Sequence, residues 1–226
     1  MIEEHNPINT ESFAKEVKDS FLSENELKTY PNLAEIANLK EVVSAYVFVT
    51  VVSVFFDNID SNTPGDHSIL VKAVYDILTE NTHCRDVSTQ GNYVIGIFDT
   101  PFKTDIDMVL DSVGKIKAVF NIAKKIRKST QKDEMKIGVG MAYSKTLMSL
   151  CTRGDNPVIN WSGGAVDTAI KYSTKAAEES SRVYATYTIY NNLKESYQKL
   201  FKKEDSDKYS SQPVNIAMDN WSKSNV

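Results

Sequence analysis

Residues 46–63 read YVFVTVVSVFFDNIDSNT. From Tyr46 to Phe56 nearly every side chain is β-branched or aromatic, and at Asp57 the chain turns abruptly polar. Such a run is too short for a bilayer and too rich in β-branched residues for a helix, so it predicts a buried central strand. Its end is a rigid platform. Asp57, Asn58, Asp60, Ser61, Asn62 and Thr63 then read either as a plain strand-to-turn transition or as oxygen donors for a metal or phosphate group.

Outward from this strand the chain alternates. Upstream, Phe13, Val17, Phe21 and Leu22 recur at helical spacing, and Leu33, Ile36, Ala37, Leu39 and Val42 suggest a second helix. Downstream, Pro64-Gly65-Asp66 punctuates. Ile69, Leu70, Val74, Ile77 and Leu78 then form one apolar helix face. His83–Thr89 and Tyr93–Phe98 read as strands joined by a tight turn at Gln90-Gly91-Asn92. Thr104 reads as the N-cap of a long helix whose buried stripe runs from Ile106 to Ala123. Met135–Met141 and Thr146–Cys151 read as two strands, Ala165–Ser173 as a helix, Arg182–Ala185 as a strand and Tyr187–Phe201 as mostly helical. The polar stretch Lys202–Ser211 reads as a solvated loop. The order strand, helix, strand, strand, helix, strand predicts an α+β, ferredoxin-like antiparallel sheet with helices on one side. The division expected is an N-terminal helical segment, 1–45, and one domain, 46–226.

Composition narrows the function. The 226 residues are 41% hydrophobic and 25% charged, with a net charge of −4. That balance suits one soluble domain and offers no basic field for DNA or an anionic membrane. Cys84 and Cys151 show no CxxC spacing, and the three histidines are scattered, which argues against disulfides and a zinc site. The polar, acidic start carries no signal-peptide pattern, so a cytoplasmic protein is expected.

Two further clusters carry chemistry. The hairpin tip Thr89-Gln90-Gly91-Asn92 can lie beside the end of the central strand in such a sheet. Oxygen ligands from both places would hold Mg²⁺ or Mn²⁺ against a triphosphate, although Gly-Asn also makes a good plain hairpin. The second is Asn160-Trp161-Ser162-Gly163-Gly164-Ala165-Val166-Asp167-Thr168-Ala169-Ile170-Lys171. Its glycines permit close backbone approach at a helix start, and Asp167 and Lys171 share one helix face, as a surface ion pair would.

In this order and spacing the three clusters resemble the class III nucleotidyl cyclases. There the first strand ends in F-x-D-I-x-G-x-T, the hairpin carries G-D, and a later segment reads roughly W-x-G-D-x-V-N-x-A-x-R or K. A closer likeness, to the pyrimidine cyclases of the Pycsar antiphage system, covers Cys84–Val87, Gly96–Asp107, Gly138–Tyr143 and Val214–Trp221. The resemblance implies a homodimer with sites at the interface and Mn²⁺ or Mg²⁺ as cofactor. It implies UTP or CTP as substrate and a separate effector that senses cyclic UMP or cyclic CMP.

The resemblance also shows where this chain departs. Asn58 falls on the first metal aspartate, with Asp57 taking that place if one residue is inserted, and Ile59 matches the following isoleucine. Asn92 falls on the second metal aspartate. Neutral amides keep an oxygen but lose the charge that a hard divalent ion favours. The exchange fits natural decay into a pseudo-cyclase that binds a nucleotide or partner as a regulator, or a deliberate inactivation. Asp167 replaces the family's asparagine, Lys171 takes its basic position, and Gly164 stands where an aspartate is usual. For the base, Ser88 falls where purine cyclases carry lysine, and Asn160 on the second base-reading position. Phe55 and Trp161 would pack near the base, or simply in the core.

Overall fold

The computed structural model describes residues 15, 27–36, 44–57, 64–130, 135–153, 156–179 and 182–225. The expected strand is there, and it is the centre of the molecule. β2 (Ser44–Asp57) pairs along its whole length with β5 (Lys136–Arg153), from Ser44 opposite Ser149 to Asp57 opposite Lys136. On its other side β2 pairs with β4 (Tyr93–Phe98), which pairs with the edge strand β3 (Cys84–Gln90). β5 also carries β6 (Asn156–Ser162) as an antiparallel arm and β7 (Val183–Thr186) as a parallel neighbour. β1 (Thr29–Tyr30) adds a short parallel pairing to β2.

Alternation along β2 divides the core into two layers. Val52, Val54 and Phe56 face α1 (Pro64–Thr79) and α2 (Lys103–Ser129), meeting Leu70, Val74, Leu78, Ile106, Val109 and Val113. Val47, Val49 and Val51 face the other way, toward Ala165, Val166 and Ala169 of α3 (Gly164–Glu178). Helices therefore cover both faces of the sheet, where the sequence predicted one. A strand that is apolar at consecutive positions must be buried on both sides, and β2 is.

Five local expectations change. Met135–Met141 and Thr146–Cys151 are one strand, because the ladder to β2 runs on through Tyr143, Ser144 and Lys145. The supposed loop Lys202–Ser211 holds β8 (Lys202–Lys203) and β9 (Lys208–Ser211), and β9 is buried because it pairs with β7. Thr104 is not the N-cap of α2. Phe102 occupies that position, and its N–H donates to the Asp105 carboxylate at 2.9 Å. Tyr187–Phe201 divides into α4 (Tyr187–Asn192) and α5 (Glu195–Gln198), and a further helix, α6 (Ile216–Asn225), follows β9. Of the second upstream helix, Leu33–Glu35 is a single 3-10 turn, capped by Asn32. Ala37, Leu39 and Val42 and the first helical repeat, Phe13–Leu22, lie outside the described residues.

Lys117 is the costly residue of this core. It lies in α2 at 4% exposure, with its ammonium 5.6 Å from the Phe120 ring. Burial first, and the charge of Lys124 second, bring its pKa down to about 8 from 10.5. The unfolded chain then holds more protons than the folded one between those values, so stability rises as pH rises across that window. Lys117→Met is expected to stabilise the protein by about 1–3 kcal/mol at pH 7. The gain should shrink toward zero by pH 10.5 in paired urea melts. A gain independent of pH would disprove the assignment.

Candidate active site

The hairpin tip and the end of the central strand meet through the backbone. The N–H of Phe56 donates to the carbonyl of Asn92 at 3.0 Å. Asp57 follows directly as the last residue of β2, half-buried, while Asn92 is exposed at the tip. Gly91 takes φ 56° there, the left-handed region that a two-residue hairpin demands. The strand end and the tip thus share one end of the sheet, as the sequence predicted. Asn58 and Ile59 lie outside the described residues.

On the α3 side of the sheet a row of polar groups leads away from this end. Phe55 and Tyr93 pair across strands with ring centroids 4.7 Å apart, and the Tyr93 hydroxyl meets Thr174 of α3 at 3.0 Å. Gln90, Ser88 and Asp86 stand opposite Tyr93, Ile95 and Ile97, so alternation puts all three on this face. At the far end the Trp161 indole N–H donates to the Asp86 carboxylate at 3.1 Å. Burial raises the Asp86 pKa against the opposing pull of that bond. Neighbouring Cys84 is pushed up to about 11, mainly by burial, so it stays a thiol and not a nucleophile.

Ile159 and Trp161 of β6 pack toward the α3-side core, which turns Asn160 outward between them. Ser88 and Trp161 therefore share a region, and Asn160 does not join them within this chain. Asp167 and Lys171 are both exposed on α3, and among the described residues no ion pair joins them. Asp86, Tyr93 and Thr174 join this row without having been read as site residues, although Asp86 lies in the Cys84–Val87 stretch of the family likeness. For Asp86, its two-residue offset from Ser88 was the available signal.

α3 is seated by glycines. A Cβ on Gly140 would lie 2.0 Å from the Ala169 carbonyl oxygen, and one on Gly138 1.9 Å from that of Ser173. At the helix start Gly164 takes φ 50°, and a Cβ there would lie 2.0 Å from the Lys145 carbonyl oxygen. An aspartate at 164 does not fit this backbone, which accounts for that departure from the cyclase pattern.

As metal donors, Asp57 and Asn92 suit a hard divalent ion in kind, since both offer oxygen. Among the described residues, no group of three His, Cys, Asp or Glu side chains is assembled for a metal. Beside the tip, a cavity of about 330 Å³ opens between α1 and β3, lined by His67, Ser68, Lys72, Thr89 and Gly91 among others. No helix of the described residues is long and apolar enough to cross a membrane.

Comparison with known proteins points one way. No family model matches the chain. A uridylate cyclase of Treponema porcinum is 24% identical over 123 residues, 53% of this chain and 43% of that protein. The chain thus matches less than half the length of that relative. Among solved structures, the adenylyl cyclase CyaB from P. aeruginosa superposes with a TM-score of 0.59 at 9% identity, over 74% of this chain and 94% of that one. A class III adenylyl cyclase-like ATP-binding protein from Pseudomonas aeruginosa gives 0.62 at 12% identity, over 95% of this chain and 48% of the other. The guanylyl cyclase Cya2 gives 0.56 at 8% identity, over 76% and 95%. Strand order, helix placement and these superpositions agree that this chain has the fold of a class III nucleotidyl cyclase catalytic domain.

Proposed function

We propose that this chain is a pyrimidine nucleotide cyclase, forming 3′,5′-cyclic UMP, or cyclic CMP, and pyrophosphate from UTP or CTP. The observation behind the reading is the Phe56–Asn92 backbone bond, which ties the hairpin tip to the end of the central strand. The likeness to a uridylate cyclase and the serine at 88 support a pyrimidine. In this reading the 3′-hydroxyl oxygen attacks the α-phosphorus and pyrophosphate leaves.

Each residue has a task. Asp57, Asn58 and Asn92, with the backbone at Ile59, would hold Mn²⁺ or Mg²⁺, which supplies charge to the triphosphate and acidity to the hydroxyl. Lys171 offers a point charge to the phosphates, and Asp167 accepts from a ribose hydroxyl. Both stand exposed on α3, so they serve a nucleotide only when a second copy closes over the site, as in a homodimer. Ser88, Phe55 and Trp161 would line the base within one chain, and Asn160, turned outward, would reach a base only across the homodimer. The product would act on a separate effector in antiphage defence, in the cytoplasm, with residues 1–45 as an N-terminal segment beside the cyclase domain 46–226.

A second reading is a catalytically silent pseudo-cyclase that regulates by binding a nucleotide or partner. Asn92 at the tip favours it, and so does the likeness to a cyclase-like protein described as ATP-binding. Product identity separates the two. The protein carrying Asn58→Asp and Asn92→Asp is incubated with each of the four nucleoside triphosphates and Mn²⁺, and the products are resolved by chromatography. Cyclic UMP or cyclic CMP is the expected result. Cyclic AMP or GMP alone would overturn the pyrimidine assignment, and no cyclic product from a folded dimer would favour the regulator.

A further inference from the structure

We propose that the Trp161–Asp86 bridge is the end wall of the base-binding space and that it selects a one-ring base. The inference rests on the nucleotide reading above and adds the residue pair that decides base size. Asp86 stands two residues from Ser88 on the same face of β3, about 7 Å along the strand. The row of polar side chains on this face runs from the hairpin tip to the bridge, and Asp86 lies only about 14 Å from Gln90 along β3. A nucleoside whose phosphates sit at the tip points its base toward the bridge. In this pose the indole would take the space that the second ring of a purine needs.

The wall is stiff for a physical reason. Trp161 is clamped on one side by the apolar layer around Ile95, Ile97 and Ile159. On the other side its N–H is held by a carboxylate, the stronger kind of hydrogen bond. Asp86 is itself steadied by the Val87 backbone N–H. Its carboxylate is half-buried on an edge strand, where a water-facing position was open to it, and burial raises its pKa. Asp86 is thus a positioning residue that acts through Trp161. The two residues are 75 positions apart in the chain, so the bridge also locks the β6 arm to the opposite edge of the β3–β4–β2–β5 sheet.

The test is the ratio of affinities. Equilibrium dialysis with Mn²⁺ compares UTP, CTP, ATP and GTP on the unaltered protein, Trp161→Leu, Asp86→Ala and Asp86→Asn. The unaltered protein should favour the pyrimidines. Trp161→Leu and Asp86→Ala should move the purine-to-pyrimidine ratio toward purines by at least about tenfold. Asp86→Asn keeps an acceptor oxygen for the indole and should keep the ratio. A merely structural pin would weaken all four nucleotides by a common factor, and that result would overturn the proposal. If Trp161→Leu does not fold, Asp86→Ala decides, since the altered side chain is half-buried on an edge strand. Equal binding of all four by the unaltered protein overturns the wall. Failure to bind any of them overturns the nucleotide reading itself.

Discussion

Exchanging Asn58→Asp and Asn92→Asp together is expected to tighten Mn²⁺ binding by roughly 10²-fold and to raise cyclisation by roughly 10³-fold or more. The reason is charge. A divalent ion held against a triphosphate meets up to four negative charges on the nucleotide, and protein carboxylates add the charge that fixes it in the site. Here Asp57 contributes a carboxylate at the end of β2, and Asn92 contributes a neutral amide. The scaffold itself needs no repair, because the tip is fixed by a main-chain bond and not by the Asn92 side chain. Aspartate occupies nearly the same volume as asparagine, so the exchange should leave the melting temperature almost unchanged. Calorimetric Mn²⁺ titration and product formation from UTP check the two arms. Tight metal without product would place the fault in Asp167 or Gly164. An unchanged affinity for metal in a folded protein would remove the metal assignment of positions 58 and 92.

Gly140→Ala is expected to be among the most damaging single changes in the sheet, costing more than about 3 kcal/mol. The added methyl would lie 2.0 Å from the Ala169 carbonyl oxygen and 2.7 Å from the Ser173 nitrogen, both backbone atoms of α3. Neither can swing aside as a side-chain tip can. Either α3 lifts from β5 or the strand bows, and the buried pair Ser53–Ser173, at 2.9 Å, is broken in both cases. A urea melt should show the loss. Where some folded protein survives, nucleotide binding should fall further than stability alone explains, because α3 carries Asp167 and Lys171. A variant with ordinary stability would mean that α3 does not sit on β5 as described.

Much of this architecture was readable from Tyr46–Phe56, because ten strand-forming side chains among eleven consecutive residues admit few other placements. The hairpin at Gly91-Asn92 was readable for a different reason, since few residues tolerate the backbone it requires. The long strand β5 was harder. Tyr143-Ser144-Lys145 interrupts its apolar pattern like a turn, and only pairing with β2 carries it through. β9 was harder still, because Lys208, Ser210 and Ser211 are polar yet buried. Their hydrogen bonds settle the cost: Ser211 donates to the Leu200 carbonyl at 2.9 Å, and Ser210 pairs with Glu204. In the site, the spacing of Asp167 and Lys171 correctly placed both on one helix. The direction of Asn160 and the Trp161–Asp86 contact were out of reach, because each depends on how the β6 arm lies over a distant strand.

The pairing of β2 with β5 also sets a schedule for the newborn chain. Phe56 and Lys136 are separated by the whole of α1, β3, β4 and α2, so the most apolar strand is made long before its main partner. At synthesis rates of about 5–20 residues per second, that interval lasts roughly 4–16 s. During it, Tyr46–Phe56 can be shielded on one edge by the β3–β4 hairpin, while the edge that β5 will occupy stays open to other chains. The protein's yield in a cell should therefore depend on how fast the ribosome traverses residues 99–153, and on which chaperones attend it there, more than on the stability of the finished fold.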